Sequence, residues 1–231
     1  MSHSTVLVVL PAETYPHDIE AEVAAALEPF NENTEVPVYI SKTRQELIDE
    51  ERANIIRYRD EGRYAEWQAD PVGYEAEVHN PDHLEYLKVG FPEKLTHLDD
   101  DEWLYKKATK FDEPFGSEYA ELDEAGNRIS TYNPRSRWDW WSIGGRWSGM
   151  LNQVDQEEQN WTGSDYLRKR DLREPLSTFA FLGLDGEWHE RGRMGWFGTV
   201  SGEKDDWEDT FAVLLDKVPD DAWLVVVDVH I

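Results

Sequence analysis

The chain switches between stretches in which apolar residues are continuous and stretches in which they recur every three or four positions. Residues 5–10 (TVLVVL) are β-branched and almost wholly apolar, as expected of a central strand covered on at least one face. Beyond a proline-containing connection, Asp18 stands where a helix cap would. Ile19, Val23, Leu27 and Phe30 follow at offsets 0, 4, 8 and 11, with Ala26 at 7, which makes one apolar helical stripe. Residues 36–40 (VPVYI) read as a short strand, placed at an edge because Pro37 has no N–H to give a ladder. The far end of the chain repeats this grammar. Residues 178–184 (TFAFLGL) predict a strand, and Asp185-Gly186 a hairpin turn back through Glu187-Trp188-His189. Trp207, Phe211, Leu214, Leu215 and Val218 then predict a helix, and residues 223–231 (WLVVVDVHI) a strong closing strand.

Two β-α-β units of this kind, 1–40 and 178–231, predict an α+β fold, most simply a ferredoxin-like sandwich with two helices on one face of a sheet. Between them lies a charged insertion, 41–130, expected to be helical. Leu47, Ile48, Ile55 and Ile56 mark an amphipathic helix ending near Gly62. The acids at 99–102 precede Trp103-Leu-Tyr-Lys-Lys in the order that a helix dipole prefers. Pro71, Pro81, Pro92 and Pro114 break the rest into short pieces, and residues 121–129 (ELDEAGNRI) read as a hairpin around Ala125-Gly126. Residues 131–177 form a loop between the insertion and the second unit, and the whole of 1–231 is expected to be one domain.

Composition narrows the function classes. The absence of cysteine rules out disulfides, zinc-thiolate sites and a thiol nucleophile. A formal net charge of −26 repels a phosphate backbone, so nucleic acid is not expected as a direct partner. The acidity reads as a solvated surface, as adaptation to high salt, or as an acidic face that mimics DNA toward a basic protein. It is uneven: residues 131–200 hold nine Lys/Arg against ten Asp/Glu, net −1, which leaves −25 of the −26 to the rest of the chain. The first residues lack the basic region of a signal peptide, and the apolar run at 6–10 is too short to span a bilayer, so a cytoplasm is the expected compartment and a membrane is not an expected partner.

The charge-balanced segment contains the densest chemistry. Residues 133–149 (NPRSRWDWWSIGGRWSG) carry Arg135, Arg137, Trp138, Asp139, Trp140, Trp141, the pair Gly144-Gly145, Arg146 and Trp147. Indoles offer flat faces with one donor each, guanidinium groups clamp anions or stack on rings, and paired glycines admit positive φ and close approach. These are parts for holding a planar or anionic ligand. The competing reading buries the tryptophans and pairs Asp139 with Arg137 or Arg146, so that the stretch braces a long loop. A second motif, residues 188–198, supplies Trp188, His189, Glu190, Arg191, Arg193, Met194 and Trp196 between glycines, and is expected to face the first across one cleft.

The two motifs NPRSRWDWWSIGGRW and DGEWHERGRMGWFG, together with the terminal VVDVHI, resemble an uncharacterised family of proteins from actinobacteria and their tailed phages. No activity is attached to that family, so the resemblance transfers no catalytic residue. It implies a setting in which host-directed roles, such as countering a defence system from within the host cytoplasm, are plausible.

No dinucleotide or phosphate-loop glycine pattern is present, and no Gly-x-Ser-x-Gly elbow. His189, Glu190 and His230 are the acid/base candidates, but adjacent residues of a strand point to opposite faces, which weakens a joint role for His189 and Glu190. His230 shares a face with Asp228 by two-residue alternation. His79 and His83 have the spacing of helical metal ligands, yet Pro81 between them favours a turn, and neither a metal nor another cofactor is expected. The leading expectation is therefore a binding protein, without catalysis, for an anionic or nucleotide-like small molecule in a Trp/Arg-lined pocket. An acidic inhibitor of a basic host protein and a hydrolase with a His/carboxylate site are the alternatives.

Overall fold

A computed structural model describes residues 2–110, 121–152, 163–195 and 198–230. The fold is mixed α+β. In chain order the strands are β1 (His3–Leu10), β2 (Tyr39–Lys42), β3 (Arg128–Ser130), β4 (Trp140–Ile143), β5 (Tyr166–Arg168), β6 (Ala180–Leu182), β7 (Trp188–Glu190), β8 (Arg193–Met194), β9 (Val200–Ser201) and β10 (Trp223–His230). The α-helices are α1 (Ile19–Leu27), α2 (Arg44–Asp60), α3 (Arg63–Ala69), α4 (Pro71–Glu77), α5 (Pro81–Glu85), α6 (Phe91–Leu95), α7 (Asp101–Thr109) and α8 (Trp207–Asp216). They fall into two compact units, one of residues 1–36 with 132–231 and one of residues 37–131. Among the described residues no helix is long and apolar enough to cross a membrane.

In the first unit, β1 and β10 pair antiparallel along their whole length, from His3 opposite His230 to Leu10 opposite Trp223. They form the centre of a six-stranded sheet ordered β4-β10-β1-β6-β7, with β5 on the same edge of β10 as β4. The β1–β6 pair is parallel and the others are antiparallel. Residue alternation sends Val6, Val8, Leu10, Val225, Val227 and Val229 to one face, where α1 covers them with Ile19, Val23 and Leu27. Leu7, Val9, Leu224 and Val226 point to the other face, under Trp207 and Phe211 of α8.

The two helices therefore lie on opposite faces, where the ferredoxin-like expectation put both on one, and the sheet is mixed. The cause is visible in β1 and β10, whose apolar residues are continuous rather than alternating. A strand of that kind loses hydrophobic stabilisation unless both of its sides are covered. A second difference follows from Pro37. The strand expected at 36–40 forms at Tyr39–Lys42 and pairs with β3, not with β1. The first predicted β-α-β unit is thus a strand and a helix only.

The second unit has its own core of Ile48, Ile55, Tyr64, Leu87, Phe91 and Leu104. Helix α2 starts in a capping box, in which the Thr43 hydroxyl accepts from the Glu46 N–H and the Glu46 carboxylate accepts from the Thr43 N–H. Helix α7 is capped by Asp100 and ends with Lys106 and Lys107 in its last turn. His83 lies on α5 and bonds the Tyr74 hydroxyl through Nε2 at 3.0 Å.

Candidate functional sites on the two faces of the sheet

The residues of the 133–149 stretch are distributed by the strand they enter. Asn133, 4% exposed, anchors the start: its Nδ2 donates to the carbonyls of Pro29 and Asn31 at 2.9 and 3.0 Å, and its Oδ1 accepts from the Arg135 N–H. This holds the chain against the end of α1. Trp138 then enters the core, 7% exposed, and donates from Nε1 to the carbonyl of Leu27 at 2.9 Å, satisfying one of the open carbonyls at the end of α1. Trp138 is a packing residue and not part of a ligand wall. Trp141 packs partly buried on the α1-side core and Trp147 on the α8-side core, so each indole gives part of its surface to packing. Trp140 alone of the four stays open, at 52% exposure.

On the α1 face the two sequence motifs meet. The β6–β7 register sets Ala180 opposite Glu190 and Leu182 opposite Trp188, which puts Trp188 and Glu190 on the α1 side and His189 on the other. Glu190 Oε2 accepts from Arg137 Nε at 3.1 Å and from Trp188 Nε1 at 3.0 Å. Phe30 packs at a tilt on Trp188, ring centroids 5.0 Å apart, and carries the Arg135 guanidinium over its ring at 4.6 Å. Arg137, Tyr132 and Ser136 form one wall of a small crevice; Trp188, Glu190, Arg193 and Met194 form the other, with Ser4, Glu32 and Phe179 completing it. It encloses about 40 Å³. Burial pulls the Arg137 guanidinium below its ordinary pKa; Glu190 opposes that effect and the like charge of Arg193 adds to it.

Other expected wall residues lie elsewhere. Arg191 is exposed and paired with Glu203. His189 faces away from Glu190 and lies near Phe181, ring centroids 6.4 Å apart, in a shallow groove with Leu214 and Lys217, so the two do not act as a pair. Trp196 lies outside the described residues. Gly144 and Gly145 have φ of 68° and 53°, and the close approach that they permit is by carboxylates of this chain. A Cβ on Gly144 would stand 2.7 Å from the Asp165 carboxyl carbon, and one on Gly145 2.4 Å from Asp228 Cβ. The space expected for a ligand beside these glycines is filled by those side chains.

The α8 face carries a second constellation. Across β1, β10 and β4 the registers align His3, His230 and Trp140 in one row and Thr5, Asp228 and Ser142 in the next. Both rows continue the face of Leu7, Val9 and Val226 past the apolar patch under α8. His3 Nδ1 bonds Asp228 Oδ1 at 2.8 Å, and His230 Nδ1 bonds Asp139 Oδ1 at 2.5 Å. The two imidazoles lie 5.1 Å apart at 63°, and His3 meets Trp140 edge-on at 6.3 Å. Asp228, 2% exposed, also accepts the Arg146 N–H at 3.0 Å through Oδ2. Asp139 is thus committed to a histidine, where the brace reading gave it to an arginine. Each Nδ1 is held by a carboxylate, which leaves Nε2 of each ring as the nitrogen not engaged by one. His230 Nε2 is buried without a hydrogen-bond partner.

Sequence reasoning paired Asp228 with His230 and gave His3 no role. The signal was present as a period-two run, His3-x-Thr5-x-Leu7-x-Val9, polar at one end and apolar at the other, matched by Leu224-x-Val226-x-Asp228-x-His230. Pairing those two runs antiparallel is what sets His3 beside His230. Fold and sites together define a mixed α+β protein with a crevice lined by two arginines and two glutamates on one face of its sheet and paired His–Asp dyads on the other. No family model matches the chain, and no match was found among curated proteins or among solved structures.

Proposed function

We propose that this protein binds an anionic, nucleotide-like small molecule, with the anionic group seated in the crevice between the 133–149 and 188–198 motifs. The observation that supports this reading is the juxtaposition of Arg137 and Arg193 on one lining, where the like charge of Arg193 joins burial in holding the Arg137 guanidinium below its ordinary pKa. An anion between them relieves that repulsion and gains charge-assisted hydrogen bonds. Glu190 and Glu32 on the same lining oppose a highly charged group, which favours a singly charged one such as a phosphodiester or a carboxylate. A volume of about 40 Å³ takes a small group and is far below the roughly 300–1,000 Å³ of sites that engulf a drug-sized ligand. The body of the ligand therefore rests outside, against the half-exposed Tyr132. In the phage setting that the motifs imply, such binding would lower the free concentration of a nucleotide signal of the host.

Calorimetry with phosphate, a nucleoside monophosphate and a cyclic dinucleotide tests this reading. Wild type is expected to bind at least one of the nucleotides, and Arg193→Ala to weaken binding by about tenfold, or ~1.4 kcal/mol. Arg193 is the preferred variant because it is exposed, whereas Arg137→Gln also strips Glu190 of its charged partner. Absence of heat with every anion in the wild type sinks the reading.

A further inference from the structure

We propose that the paired dyads on the α8 face are a hydrolytic centre for a nucleotide phosphodiester, with His3 as its catalytic base. Three side chains carry the inference, each with a different chemical task. His3 keeps 14% of its side chain exposed, and its Nδ1 is fixed on the buried Asp228 carboxylate, which favours the tautomer whose Nε2 carries the lone pair. Trp140, half-exposed and edge-on to His3 in the same cross-strand row, offers a face on which a planar base stacks. Arg146 has an exposed side chain with no ion pair among the described residues, and its backbone is tied by its N–H to the same Asp228 that orients His3. A guanidinium on a backbone tethered to that carboxylate suits the non-bridging oxygens of a phosphodiester, which it binds through two parallel donors.

His230 is a positioning residue. Its ring packs against His3, Asp139 holds its Nδ1, and its own Nε2 is buried, so it does not reach a substrate. In the reaction, His3 Nε2 takes a proton from water as the water oxygen bonds to phosphorus. The ester P–O bond breaks, solvent water protonates the leaving oxygen on the far side of phosphorus, and the imidazolium gives its proton back to solvent. Diester and water become monoester and alcohol, with His3 neutral at the end. This centre is on the opposite face of the sheet from the anion crevice, so the two readings stand or fall separately.

The test is turnover of bis-nitrophenyl phosphate, a cyclic mononucleotide and a cyclic dinucleotide by wild type, His3→Asn, His230→Asn and Trp140→Ala, purified identically and checked by thermal melting. Asparagine keeps a donor for each carboxylate, so both histidine variants are expected to fold. Wild type is expected to release product; His3→Asn is expected to lose at least about 100-fold in kcat. His230→Asn is expected to lower kcat with KM unchanged, and Trp140→Ala to raise KM for the cyclic nucleotides by roughly tenfold with little change in kcat. No product above background from wild type, or equal rates for wild type and folded His3→Asn, overturns the proposal.

Discussion

Gly145 and Gly186 both hold left-handed backbone, with φ of 53° and 74°, yet they do so for different reasons. Nothing lies within 4 Å of where a Cβ would stand on Gly186, so Gly186→Ala is expected to cost only the strain of the turn, about 1–2 kcal/mol. On Gly145 the same methyl would stand 2.4 Å from Asp228 Cβ and 2.8 Å from Ser142 Oγ, and strand backbone on either side limits relief. Gly145→Ala is therefore expected to cost about 1–3 kcal/mol more than Gly186→Ala and to displace Asp228 from His3. Urea titration of the two variants measures the difference; equal losses would show that the carboxylate is not pressed against this turn. Residue identity in the stretch was legible from the sequence, and residue role was not. Trp138 and Trp140 are two positions apart and chemically identical, but one is closed into the α1-side core and the other opens to solvent.

At the scale of elements, periodicity located α1, α2, α8, β1, β6 and β10, because each has an apolar stripe or run that only one secondary structure buries well, while charge order pointed to α7 and a turn signal to β7. The start of α2 has its own test. Hydrogen bonds from the Thr43 backbone and side chain hold the Glu46 carboxyl below the usual glutamate range. A carboxyl with a lowered folded-state pKa stabilises above its unfolded value, and that contribution is lost as pH falls through the folded one. Thr43→Ala is accordingly expected to lower the melting temperature by roughly 2–4 °C at neutral pH, with the gap closing as pH drops below the ordinary glutamate range. Differential scanning calorimetry across that range checks both the size and the direction. The sequence reading set β2 a few residues early and took 131–177 for a loop, where β4 and β5 form, since a short run states that a strand forms but not which strand it joins. The same limit hid His3 from the site, whose neighbours are set by the β1–β10 register.

For the whole molecule, 49 acidic against 23 basic residues make self-repulsion a standing cost of the folded state. Salt screens charges separated by more than a Debye length, about 10 Å at 0.1 M and about 30 Å at 0.01 M. The melting temperature is therefore expected to rise between those ionic strengths with sodium chloride, and a flat or falling dependence would mean that local ion pairs outweigh the net charge. Such pairs are present, Arg52 with Asp49 and Asp101 and Lys88 with Glu75, but they are exposed or half-exposed and each contributes little.

Sequence alone determined the α+β class, the places of the principal helices and strands, and the two motifs in which arginine, tryptophan and glycine are concentrated, because periodicity, turn chemistry and local composition are properties of neighbouring residues. Tertiary structure alone decided that α1 and α8 take opposite faces, that Arg137 is spent on Glu190 and Asp139 on His230, and that His3 comes to lie against a histidine 227 positions away. Those outcomes depend on strand order and register, which place residues far apart in the chain within a hydrogen bond of one another, and no local pattern specifies them.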